Sequence, residues 1–128
     1  VQTCALPIYN ASRRGIPGND DSGSMSSWLA FHMMGFFPNA GQSYYLINAP
    51  YFDSTTLHLE NGDDFTITTE NMSTANTYIQ SAYLNGEDYD LSWIEHKDIL
   101  DGGELRLIMG SKPSSWGTTL LPPSMSNK

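Results

Sequence analysis

The chain has 128 residues, 39% of them hydrophobic, enough for one modest domain or for one piece of a larger one. Six basic against fourteen acidic residues leave a net charge of -8, which repels nucleic acid and anionic membrane surfaces, and no basic stripe offsets it. No apolar run approaches the roughly 20 residues that a membrane-spanning helix needs, so neither nucleic acid nor a membrane span is expected.

In chain order, Val1-Gln2-Thr3-Cys4-Ala5-Leu6-Pro7-Ile8 resembles one reading frame of a sequencing-library adapter. Residues 1–8, with the single cysteine Cys4, are therefore expected to be a non-native artefact and are set aside from fold reasoning. The coding sequence is expected to continue upstream of Tyr9. Residues 9–17 carry Arg13, Arg14, Gly15 and Pro17, a pattern too short and broken for a regular element. From Asp21 or Ser22 onward, Met25, Trp28, Leu29, His32, Met33 and Phe36 recur at three- and four-residue steps, the period of a helix face. Asp20, Asp21, Ser22 and Ser24 all suit its N-cap, while Gly35 and Pro38 supply the stop. Phe31, Met34 and Phe37 make the opposite face apolar too, so the helix is expected to be buried on most sides.

After Pro38 the period changes from near 3.6 to near 2, a domain or subdomain boundary that separates residues 9–40 from a β-rich region over 41–128. Residues 44–47, 55–59, 65–69, 78–84 and 105–109 are rich in β-branched and aromatic side chains and read as short strands. Asn61-Gly62-Asp63-Asp64 and Asn85-Gly86 are hairpin signals. Residues 96–100 suit a single helical turn, and the tail from Lys112 looks irregular. Alternation in 55–59 and 65–69 buries one face of each strand and wets the other, which predicts an antiparallel sheet or small sandwich. The fold class is thus α+β. A mostly apolar helix beside so small a sheet lacks partners, which are expected upstream.

The chemistry begins in the loop before the helix. Asp20 and Asp21 are adjacent carboxylates, and five of the nine residues from Gly15 to Gly23 are Gly, Pro or Asn. Acids ahead of a helix serve as caps, since its N-terminus favours negative charge. So many special backbone residues exceed what a cap needs, and such loops position functional groups. His32 lies on an apolar helix face and reads as a core histidine; His58 and His96 show no metal-ligand spacing. Trp28, Trp93 and Trp116 suit either sugar stacking or packing. Asn10-Ala11-Ser12 and Asn71-Met72-Ser73 fit the N-glycosylation acceptor pattern.

Gly18-Asn19-Asp20-Asp21-Ser22-Gly23, followed by Met25-Ser26, Trp28 and Gly35-Phe36-Phe37-Pro38, resembles the last motif block of glycoside hydrolase family 92, the calcium-dependent exo-α-mannosidases. The resemblance continues in order through Tyr44-Tyr45, Ala49-Pro50-Tyr51-Phe52-Asp53, Tyr78-Ile79-Gln80-Ser81, Leu84-Asn85-Gly86, Trp93-Ile94-Glu95-His96, Gly102-Gly103 and Met109-Gly110. It implies that residues 9–40 end an (α/α)6 barrel and that the whole protein hydrolyses terminal α-mannosyl residues of glycans with inversion. In such a reaction one carboxyl protonates the leaving oxygen while another activates water from the opposite face.

By the same resemblance the last acid of the motif, Asp21, is the general base, with Asp20 as second choice and Gly18, Asn19 and Ser24 near substrate. Ser24 stands where the family is expected to have glutamine, and Ser22 where it is expected to have a cysteine or another small or polar residue. The general acid and the calcium ligands are expected upstream, so the fragment is expected to be inactive alone and to hold no metal. Export is implied, because mannan and N-glycan substrates lie outside the cytoplasm. The alternative is a noncatalytic β-sandwich module, carbohydrate-binding or structural, in which the acidic loop is only a capped turn.

Overall fold

A computed structural model describes residues 8–124. Residues 1–7, which hold Cys4 and nearly all of the adapter-like stretch, lie outside the described residues, as do 125–128.

Helix α1 spans Ser24–Met34 and stops at Gly35, whose N–H donates to the Phe31 carbonyl at 3.2 Å. Gly35 holds φ 105, and a Cβ there would lie 3.0 Å from the Pro50 Cβ, so both its conformation and its close packing call for glycine. The helix starts later than the period alone predicts. Asp21, Ser22 and Gly23 take φ of 52, 60 and 94, left-handed values that cannot belong to the right-handed helix. None of its residues is buried among the described residues, against the expectation of burial on most sides. Phe31 and Met34 nonetheless lean on the core, and Phe31 meets Phe36 and Phe37 edge-on.

Strand β1 (Phe36–Pro38) follows at once and pairs antiparallel with β2 (Tyr44–Ile47), which pairs on its other side with β7 (Trp93–Glu95). The chain therefore passes position 40 inside a hairpin. A second sheet runs in the order β3 (Ser54–His58), β4 (Asp64–Glu70), β8 (Gly103–Gly110), β5 (Tyr78–Leu84), β6 (Glu87–Asp88). Both hairpin signals act as turns: Asp63 N–H donates to the Asn61 side chain, and Asn85 and Gly86 both take positive φ. Short helix α2 (His96–Leu100) joins β7 to β8.

The sheet is mixed, not antiparallel as alternation predicts. β8 lies antiparallel to β5 but parallel to β4, with Ile67 opposite Leu105 and Thr69 opposite Leu107. A parallel pair needs a long crossover, and the chain from β5 through α2 supplies one. Alternation reports which face is buried and is blind to strand direction. Phe65, Ile67, Leu105, Leu107, Met109 and Ala82 form the inner face of this sheet, and share one core with Phe36, Ile47 and Ile94 of the smaller sheet and with Ile99 of α2.

Candidate active site: the acidic loop before the first helix

Residues 18–26 give the two neighbouring carboxylates different surroundings. Asp20 is half-buried, and one of its oxygens, Oδ1, accepts from both the backbone N–H of Ser26 at 2.8 Å and its hydroxyl at 2.7 Å. The helix N-cap position is Gly23, which has no side chain to offer. Asp20, three residues ahead of it, thus caps the third helical N–H, and the left-handed run from Asp21 to Gly23 folds the chain back far enough for it to do so. The Asp20 carbonyl also accepts from Met25 N–H at 3.2 Å.

Asp21 is exposed, and no described residue hydrogen-bonds its side chain. Its backbone is fixed instead: its N–H donates to Asn19 Oδ1 at 3.3 Å and its carbonyl accepts from Ser24 N–H at 3.3 Å. Asn19 and Ser24, both expected near substrate, therefore brace Asp21 through its main chain. Gly18, also exposed, turns the chain with φ 67. Gly18, Asn19, Asp20 and Asp21 lie in one short loop, and Ser24 is the first residue of the helix that follows it. Ser26, the partner of Asp20, was missed from the sequence. Its distance from the N-cap fits a capping position, but only the left-handed run makes Asp20 its partner.

A ladder of rings stands beside the loop's helix. Tyr9 stacks on Trp28 at 6.0 Å, Trp28 meets His32 at 4.3 Å, and His32 lies parallel to Phe37 at 4.7 Å. His32 Nδ1 is 3.2 Å from Asn48 Oδ1, while Asn48 Nδ2 donates to the His32 carbonyl. Burial pushes this imidazole below its ordinary 6.5, and the hydrogen bond to Asn48 offsets that only in part. His32 is half-buried, packed between Trp28 and Phe37 and outside the core that its helix face predicts. His58 pairs with Asp64 at 2.6 Å, and Tyr45 Oη is 2.9 Å from His96 Nδ1, both on the surface.

A concavity of about 320 Å³ is lined by residues of β5, β6, the segment after β6 and the tail, including Asp88, Asp90 and Trp116, and by none of the acidic loop. Several of its polar groups are already used. Asp90 accepts from Gly117 N–H and the Thr119 hydroxyl, and the Trp116 indole N–H donates to the Tyr89 carbonyl. Burial first, then the charges of Asp98 and Glu95, push the Tyr89 phenol up to about 12, so it stays neutral at ordinary pH.

Calcium takes six to eight oxygen ligands. Among the described residues no three His, Cys, Asp or Glu side chains converge as a metal-binding group.

The loop thus holds two adjacent acids in a turn of left-handed residues, Asp20 tied down and Asp21 open. Comparison with known proteins supplies the class. The model of the glycosyl hydrolase family 92 catalytic domain matches residues 1–111, and the chain belongs to that family. A relative from the fungus Arthroderma benhamiae, described as an uncharacterized secreted glycosidase, is 44% identical over 122 residues, covering 91% of this chain and 16% of its own. Among solved structures, a family 92 α-mannosidase of Bacteroides thetaiotaomicron in complex with mannoimidazole superposes with TM-score 0.89 at 34% identity, covering 97% of this chain and 17% of that one. An inverting mannosidase of the same organism gives TM-score 0.89 at 33% identity over 98% and 18%. This chain thus spans less than a fifth of the length of these relatives.

Proposed function

We propose that this chain is the part of an inverting exo-α-mannosidase that carries the general base, and that the base is Asp21. The observation that carries the reading is the division of labour in the loop: Asp20 is spent on Ser26, while Asp21 is held by its backbone and leaves its carboxylate open. The Asp21 carboxylate takes a proton from water as the water oxygen attacks the anomeric carbon. The bond to the leaving oxygen breaks on the opposite face, and that oxygen receives a proton from an acid on another part of the protein. The two carboxyls would stand roughly 6.5–9.5 Å apart, room for the water between them. Asp20 acts as a positioning residue, and Gly18, Asn19 and Ser24 shape the approach of the sugar.

The solved neighbours named as mannosidases support a mannose-containing glycan as substrate. In this reading the acidic loop and α1 close a helical barrel whose other parts supply the acid and the calcium ligands, and the chain alone is inactive. The secreted relative supports an extracytoplasmic location. Among the described residues no helix is long and apolar enough to cross a membrane. Proton NMR of an aryl α-mannoside digested by the full-length protein tests the reading: β-mannose is expected as the first product, and α-mannose as first product would rule out inversion.

A further inference from the structure

Two acceptor triplets stand outside the catalytic reading, Asn10-Ala11-Ser12 and Asn71-Met72-Ser73, and the structure treats them differently. We propose that Asn71 is an N-glycan attachment site used when the protein passes through a eukaryotic secretory pathway, a proposal that rests on the extracytoplasmic reading above.

Asn71 is the first residue beyond β4 and takes φ 61, a left-handed value that asparagine accepts more readily than most residues. It turns the chain away from the sheet. Asn71 and Ser73 are exposed, while Met72 between them is half-buried, packs against the core and lies 3.8 Å from the Thr69 hydroxyl. The anchored methionine leaves its two neighbours on the outside. The turn is closed without the Asn71 side chain: its carbonyl accepts from Asn76 Nδ2 at 2.8 Å, and Ser73 Oγ accepts from the N–H groups of Ala75 and Asn76. No described residue hydrogen-bonds the Asn71 amide. A sugar on that nitrogen therefore breaks no contact that holds the turn. Asn10 differs, because its Oδ1 accepts from Ser12 N–H at 3.1 Å and its backbone N–H is tied to Gly15, so its side chain is part of its own turn.

The transfer needs a donor of stated chemistry, an oligosaccharide on a lipid pyrophosphate. Asn71 Nδ2 attacks the anomeric carbon, the new C–N bond replaces the C–O bond to pyrophosphate, the lipid pyrophosphate leaves, and one amide proton is lost. Bulky sugar at an exposed turn suits a secreted protein, and the relative from Arthroderma benhamiae is described as one.

The test secretes the full-length protein from yeast behind a yeast leader, removes N-glycans with peptide-N-glycosidase in heavy-oxygen water, and reads peptides by mass spectrometry. Most copies of the Asn71 peptide are expected as labelled aspartate. Asn71→Gln and Ser73→Ala are each expected to abolish that label, and Ser73→Thr to keep it. Secreted protein with Asn71 unlabelled overturns the proposal, as does a label that survives Ser73→Ala. Mannosidase activity measured on the same medium reports the catalytic reading separately.

Discussion

At Asp21 the backbone sits at φ 52 and at Ser22 at φ 60, two consecutive non-glycine residues in a region that costs about 1–3 kcal/mol each. Strain of this kind gathers where a side chain must be aimed, and here it folds Asp20 back onto Ser26 while leaving Asp21 outside. Replacing Asp20 by Ala removes the cap, and a loss of about 0.5–2 kcal/mol in stability is expected by thermal or denaturant unfolding. Turnover of the full-length protein should fall with it, because the loop that aims Asp21 loosens. His32 gives a pH signature of its own. Its lowered pKa means that the unfolded chain binds more protons than the folded one, so stability is fully present above the unfolded value of 6.5 and declines as pH drops through the folded value. His32→Phe is expected to flatten the fall of Tm below that pH, measured by a pH series of melting curves. At this scale the two carboxylates were legible from the sequence. The Ser26 contact was not, since it depends on three left-handed residues that only the folded loop displays.

Elements were read with uneven success, and the reason is length. Strands β2, β3, β4, β5 and β8 carry enough β-branched and aromatic residues to be read, with alternation showing in β3 and β4, and helix α2 and both hairpin turns sit where the residues put them. β1, β6 and β7 hold three, two and three residues, too few for any period to register. Direction was also invisible: β8 shows the same inner face, Leu105, Leu107 and Met109, whether its neighbour runs parallel or antiparallel. That central strand is where the sheet is most sensitive. Leu105 is fully buried between β4 and β5, so Leu105→Ala should cost about 2–5 kcal/mol in a denaturant titration. The same change at exposed Leu46 on β2 should cost little.

Across the whole molecule, α1 is the element that asks for more protein. Its apolar faces meet β1 on one side, yet none of its residues is buried, and the chain spans less than a fifth of its family relatives. A helix apolar all round finds its burial against further partners, and those partners would complete the site that Asp21 begins. The isolated chain is therefore expected to show no turnover of an aryl α-mannoside, and the full-length protein is expected to hydrolyse it. The most direct measurement is the turnover of full-length Asp21→Asn, a replacement that keeps the side chain's shape and tolerates the left-handed backbone while removing the base. A fall of about 10²- to 10⁴-fold in kcat with melting temperature unchanged is the expected result. Near-normal turnover in the folded variant would contradict the assignment of Asp21 as the base.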